Sequence, residues 1–156
     1  MSVAFRRESD EEHKEPRFEL PIPVGPNLVT ANGFALIEAR VAALEEELAG
    51  VPEPLRREEA ARELRYWRTR RATAELAPSP PENEVALGSR VHFQLGGSER
   101  TISIVGHDEA DPARGRIAFS APLARALIGA EVGDLVDFGG KAGAIAVTGV
   151  SPLEQD

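Results

Sequence analysis

The 156-residue chain contains no cysteine. That single absence removes disulfides, cysteine-based zinc and iron–sulfur sites, and thiol nucleophiles. Aromatic residues are only 5 % of the chain, with one tryptophan and one tyrosine, so a large stacking surface for bases or sugars is excluded. No apolar run approaches the roughly 20 residues of a membrane span, and no apolar signal-peptide core follows Met1. A cytoplasmic chain with no membrane partner is therefore expected. Basic residues are outnumbered: 18 Lys and Arg face 26 Asp and Glu, a formal charge of −8. Affinity for nucleic acid comes mainly from neutralising phosphates, so this balance points to indirect contact with nucleic acid, through a protein partner. Hydrophobic residues at 42 % and charged residues at 28 % fit a folded chain.

Composition divides the chain into four parts. Residues 1–29 are polar and carry Pro16, Pro21, Pro23 and Pro26 with little periodicity, and read as a mobile tail. Residues 30–77 read as an antiparallel helical hairpin. Thr30 offers an N-cap, and Phe34, Ile37, Val41, Leu44 and Leu48 follow the 3-4 spacing of a coiled-coil seam. Gly50, Pro52, Glu53 and Pro54 form the tip, where glycine suits a helix C-cap and the prolines stop the ladder. A second helix is expected from Leu55 to Leu76, with Ala60, Leu64, Trp67 and Ala74 on one side and Trp67 plugging the hairpin core. Its arginines, from Arg56 to Arg71, read as a solvated face paired with glutamates rather than as a nucleic-acid patch. At about 1.5 Å per residue, each arm is only about 30 Å long.

Residues 78–84 are a proline-rich linker, and residues 85–153 a small β-rich domain. Val91, Phe93 and Leu95 alternate along one strand, Gly96-Gly97 makes a turn, and Ile102 and Ile104 alternate on the return. Further strands are expected at Arg116–Ser120, Leu135–Phe138 and Ala144–Val150. A short helix is expected from Pro122 to Ile128, with proline in its first turn and Gly129 at its end. The fold class is α+β, an antiparallel coiled-coil hairpin followed by a small antiparallel β domain with one short helix.

Three chemical motifs fail on inspection. Asp108-Glu109-Ala110-Asp111 follows a strand, as a Walker-B carboxylate would, yet no glycine-rich phosphate loop ending in Lys-Ser/Thr accompanies it. The same acids with His107 lack a second ligand set for a metal and read as a solvated turn. No nucleophile elbow accompanies the three histidines. The chain is expected not to be an enzyme.

Two stretches resemble a known family. Residues 104–111 (IVGHDEAD), Gly115-Arg116-Ile117 and residues 121–134 (APLARALIGAEVGD) resemble the C-terminal domain of bacterial Gre-type (GreA/GreB) transcription elongation factors. Residues 28–34 (LVTANGF), followed by Leu44 to Leu48, are similar to the start of their coiled coil. The resemblance implies an FKBP-like C-terminal domain that docks on RNA polymerase at the rim of the secondary channel, while the coiled coil enters the channel. It implies no cofactor, a monomer, and a docking loop at Ser120, Ala121 and Pro122, with Arg125 beside it. In cleaving members an Asp-x-x-Glu-Asn motif at the tip helps hold a second Mg²⁺. Here that motif is missing, and Glu53 is the only tip carboxylate and the only weak candidate for a metal ligand. A short-armed regulator that binds polymerase without stimulating transcript cleavage follows. The alternatives are an adaptor that binds another protein, such as a nucleoside-metabolising enzyme, and a cleavage-stimulating factor.

Overall fold

The computed structural model describes residues 19–153. Most of the expected tail, residues 1–18, lies outside the described residues. Its last part does not behave as a tail. Asn27 is buried, and Leu28–Val29 form β1, paired in parallel with β2 (Glu75–Leu76). That pairing ties the chain entering the hairpin to the chain leaving it.

Between them lie α1 (Ala31–Ala49) and α2 (Pro54–Thr73). Thr30 caps α1, its hydroxyl accepting from the Gly33 N–H at 2.9 Å. Ile37, Val41 and Leu44 are buried against Ala60 and Leu64, whereas Phe34 and Leu48 at the two ends of the seam are half-buried. Trp67 packs on the edge of this cluster, half-exposed, beneath the Arg40 guanidinium at 5.4 Å from its ring centroid. It is a lid on the seam rather than its plug, because Ala60 and Leu64 already fill the interior. The second helix ends at Thr73, three residues earlier than its pattern indicates, because Glu75 and Leu76 are taken into β2.

The turn also differs in detail. Gly50 does stand at the C-cap, but with φ −81°. The left-handed residue is Val51, at φ 53°. A β-branched residue in that region is strained by steric contact between its side chain and the backbone.

The second part is a five-stranded sheet in the order β5-β4-β3-β7-β6. Its strands are β3 (Ser89–Leu95), β4 (Ser98–Val105), β5 (Arg116–Ala118), β6 (Leu135–Phe138) and β7 (Lys141–Pro152). Gly96 and Gly97, both at positive φ, turn β3 into β4. The sheet is not wholly antiparallel, since β5 runs parallel to β4 after two short 3₁₀ turns at His107–Glu109 and Pro112–Arg114. One face carries Val91, Phe93, Ile102, Ile104, Ile145 and Val147, which bury with Ala124 and Leu127 of α3 (Pro122–Leu127). The architecture is thus α+β, with a helical hairpin leading into a mixed sheet. No helix among the described residues is long and apolar enough to cross a membrane.

Candidate functional site

Three regions collect the chain's polar chemistry: the base of the hairpin, the loop before α3, and the hairpin tip. The base is the most densely bonded. Arg70 is 1 % exposed, and its Nε donates to Asp108 Oδ2 at 2.7 Å while Nη2 donates to Asn27 Oδ1 at 2.8 Å. Tyr66 donates its hydroxyl to Asp108 Oδ1 at 2.6 Å, and Asn27 Nδ2 returns a bond to the Arg70 carbonyl at 2.8 Å. Burial, together with this bond to a carboxylate, pushes the Tyr66 phenol up to about 12.

The next residue completes the junction. Glu109 is buried and accepts from the Thr30 hydroxyl at 2.6 Å and from Asn32 Nδ2 at 2.8 Å. Two glycines make room for this junction, Gly33 for the Glu109 side chain and Gly106 for the backbone of β1. A Cβ at Gly33 would lie 2.8 Å from Glu109 Oε1, and one at Gly106 would lie 2.5 Å from the Leu28 carbonyl oxygen. The sequence reading of Asp108 and Glu109 as a solvated turn is therefore corrected, and so is that of Arg70 as part of a solvated face. These acids are consumed in joining the hairpin to the sheet domain. Among the described residues no group of three His, Asp or Glu side chains is placed to hold a metal ion.

The remaining helix arginines conform better to expectation. Arg56 pairs with Glu47, Glu59 and Glu63, Arg68 with Glu45, and Arg65 with Glu19. Arg57, Arg62 and Arg71 have no carboxylate partner among the described residues.

The loop before α3 sits above the same junction. Ser120 and Pro122 are exposed, Ala121 is half-buried as the N-cap of α3, and Arg125 points from α3 into solvent. Ser120 Oγ lies 2.8 Å from His107 Nε2, and the His107 ring packs 5.0 Å from Phe119. Its Nδ1 is buried without a partner among the described residues. Beyond α3, the apolar side chains of Ile128, Val132 and Leu135 are exposed. The sequence pattern does not mark these three as exposed, although apolar residues on and beside the Gly129–Gly133 turn are the available signal.

Burial, then the nearby Arg70 charge, lowers the His107 pKa, against an opposing pull from Asp108. The neutral ring is thus favoured in the folded state. Unfolding then takes up a proton below the ordinary histidine pKa of about 6.5, so stability falls as pH drops through that value toward the lowered one. Unfolding free energy measured by denaturant is expected to decline from pH 7.5 to pH 5.5, and His107→Gln is expected to flatten that decline. An equally steep decline in His107→Gln would assign it to other groups.

The tip places Gly50, Pro52, Glu53 and Pro54 in one connection between the helices, with Glu53 exposed at the N-cap of α2. No second carboxylate belongs to it. Instead it presents Val51 and Leu55, at 68 % and 72 % exposure.

Comparison with known proteins bears mainly on the sheet domain. Residues 80–151 match the family model for the C-terminal part of GreA/GreB transcription elongation factors. The chain is 50 % identical over 58 residues to the transcription elongation factor GreA of Lactococcus lactis subsp. cremoris, covering 36 % of this chain and 37 % of that one. It is 52 % identical over 66 residues to GreA of Rhizobium meliloti, covering 41 % of this chain and 42 % of that protein. The matches thus span about two fifths of the curated relatives' length. Among solved structures, a prokaryotic GreA/GreB factor from Nitrosomonas europaea aligns over 80 % of this chain and 98 % of its own. Its identity is 21 % and its TM-score 0.40, too low for the overlay to carry an argument.

Proposed function

We propose, from the match of residues 80–151 to the C-terminal part of GreA/GreB transcription elongation factors, that the chain is a regulator of transcription elongation that binds RNA polymerase. The sheet domain docks at the rim of the secondary channel through Ser120, Ala121, Pro122 and Arg125, extended by Ile128, Val132 and Leu135. The hairpin enters the channel. Its tip lacks the paired carboxylates through which cleaving members help to hold a second Mg²⁺, so it occupies the channel without stimulating transcript cleavage.

The observation that carries this reading is the match over residues 80–151, joined to the exposure of the loop before α3. Two-metal phosphodiester hydrolysis needs oxygen ligands placed at both metals. A single exposed Glu53 beside apolar Val51 and Leu55 does not supply that arrangement. The chain acts on polymerase as a ligand, with no catalytic residue of its own.

The test is capture of purified polymerase by the tagged chain at low salt. Ala121→Arg is expected to weaken that binding at least tenfold, about 1.4 kcal/mol, by placing a bulky charge in the contact. Its thermal midpoint should stay within about 2 °C of the parent, because the site is only half-buried. Absence of polymerase in the captured material would overturn the reading. Unchanged affinity in a folded Ala121→Arg chain would remove this loop from the interface.

A further inference from the structure

The outer face of the sheet, opposite its apolar core, carries a row of polar residues. In register across β7, β3, β4 and β5 stand Ser151, Arg90, Ser103 and Arg116. With strands about 4.8 Å apart, the two arginine backbones lie about 10 Å from each other, close enough for both guanidinium groups to reach one anion. Both side chains are half-buried, and neither pairs with a carboxylate among the described residues. That sets them apart from Arg56, Arg65, Arg68, Arg70 and Arg114, which all do. Two guanidinium groups close together, partly screened from water and with no carboxylate beside them among the described residues, are free to take an anion.

That space is a cavity of about 470 Å³ between the hairpin base and the sheet, and both arginines line it. Its size falls within the roughly 300–1,000 Å³ usual for small-molecule sites. The remaining wall is largely apolar, with Leu76, Pro78, Leu87 and Leu153, and the first turn of α1 opens on it through Thr30, Ala31 and Asn32. One acid, Glu109, also lines the cavity, with its two oxygens engaged by Thr30 and Asn32. Among the described residues, two arginines against one glutamate leave the cavity net positive inside a chain of charge −8.

We propose that this cavity binds a small organic phosphate, with its head held by Arg90 and Arg116 and its body against the leucine and proline wall. Guanidinium forks match phosphate oxygens in geometry as well as charge. A ligand seated there touches the hairpin base, the linker and the sheet at once. It therefore stabilises the junction that sets the direction of the hairpin. This inference stands apart from the polymerase reading and does not depend on it.

Phenyl phosphate, which carries the head and a small apolar body, is the probe. It is titrated into the full chain and followed by backbone amide shifts and by the thermal midpoint. Saturable binding is expected, with shifts at Ala31, Asn32, Arg90 and Arg116 and a midpoint that rises with probe concentration. Inorganic phosphate should bind more weakly and phenol not measurably. Arg90→Gln and Arg116→Gln, each judged against its own midpoint without probe, should weaken binding at least tenfold. The amide shifts on the unsubstituted chain keep the test decisive if either variant unfolds. No saturation at about 10 mM probe, a free energy of only about 2.7 kcal/mol, would overturn the proposal. So would shifts confined to Arg57, Arg62 and Arg71 of α2, or full affinity in the folded variants. Glu154 and Asp156 follow Leu153 in sequence, so a chain with Glu154→Gln and Asp156→Asn is the last arm. Unchanged or tighter binding there supports the proposal. Binding seen only in that chain would assign the two arginines to the chain's own acids and overturn it.

Discussion

Arg70→Ala is expected to destabilise the protein by about 3–5 kcal/mol, because it strips the cation from a buried ion pair and leaves its partner charged. The Asp108 side chain is only 6 % exposed and would keep one neutral donor, the Tyr66 hydroxyl. Asn27 would lose its Oδ1 donor in the same step, loosening the segment that feeds β1. Denaturant unfolding measures the loss. Arg65→Ala, which breaks an exposed pair with Glu19, is the control and should leave the midpoint nearly unchanged. The double replacement Arg70→Met with Asp108→Leu should recover part of the loss, since apolar groups of similar size avoid the uncompensated charge. A loss below about 1 kcal/mol in Arg70→Ala would mean that the junction does not depend on this pair.

The consequence extends from stability to geometry. The base of the hairpin is closed by the two-residue β1–β2 pairing and meets the sheet domain through the Arg70–Asp108 and Thr30–Glu109 bonds and the close approaches at Gly33 and Gly106. All four lie within one turn of the hairpin base. They fix the angle at which an arm about 30 Å long leaves the domain. A small error at the base becomes a displacement of several ångströms at the tip, so the tip is placed only as firmly as this joint is stiff.

What the sequence reveals follows from range. The seam of α1 is legible because Ile37, Val41 and Leu44 repeat at a spacing that only a helix presents on one side. The β3–β4 hairpin is legible from alternation and Gly96-Gly97, and α3 from Pro122 at its start. Each of these signals is local. The missed features pair residues far apart in the chain. Arg70 is one arginine among several on α2, and nothing nearby marks it as the buried one, since its partner Asp108 is 38 positions away. The pairs β1–β2 and β4–β5 are parallel, so neither has a tight turn to betray it. The loop proposed for docking, Ser120 to Pro122, is marked in the sequence only by family resemblance. The Arg90–Ser103–Arg116 row needs strand register, which alternation alone does not supply.

A single tip carboxylate sets the second large effect. Stimulation of RNA cleavage by members that carry the full acidic motif depends on the position of the carboxylates as well as on their charge. Here the tip offers Glu53 alone, beside a strained Val51 and an exposed Leu55. A tip without the motif is expected to give no stimulation at all rather than a weakened one, while docking, proposed above for the sheet domain, is expected to remain. Under the proposed function occupancy and cleavage should therefore separate: the chain is expected to compete for the channel without adding chemistry there.

The most direct measurement uses backtracked elongation complexes carrying 5′-end-labelled RNA and Mg²⁺, with the chain at saturation. Alone, it should leave cleavage at the rate of polymerase without any factor. Added to complexes that hold a cleaving Gre protein, it should slow cleavage in proportion to the share of channels it occupies. Shortened RNA appearing faster than with polymerase alone, and losing that acceleration on Glu53→Gln, would contradict the account.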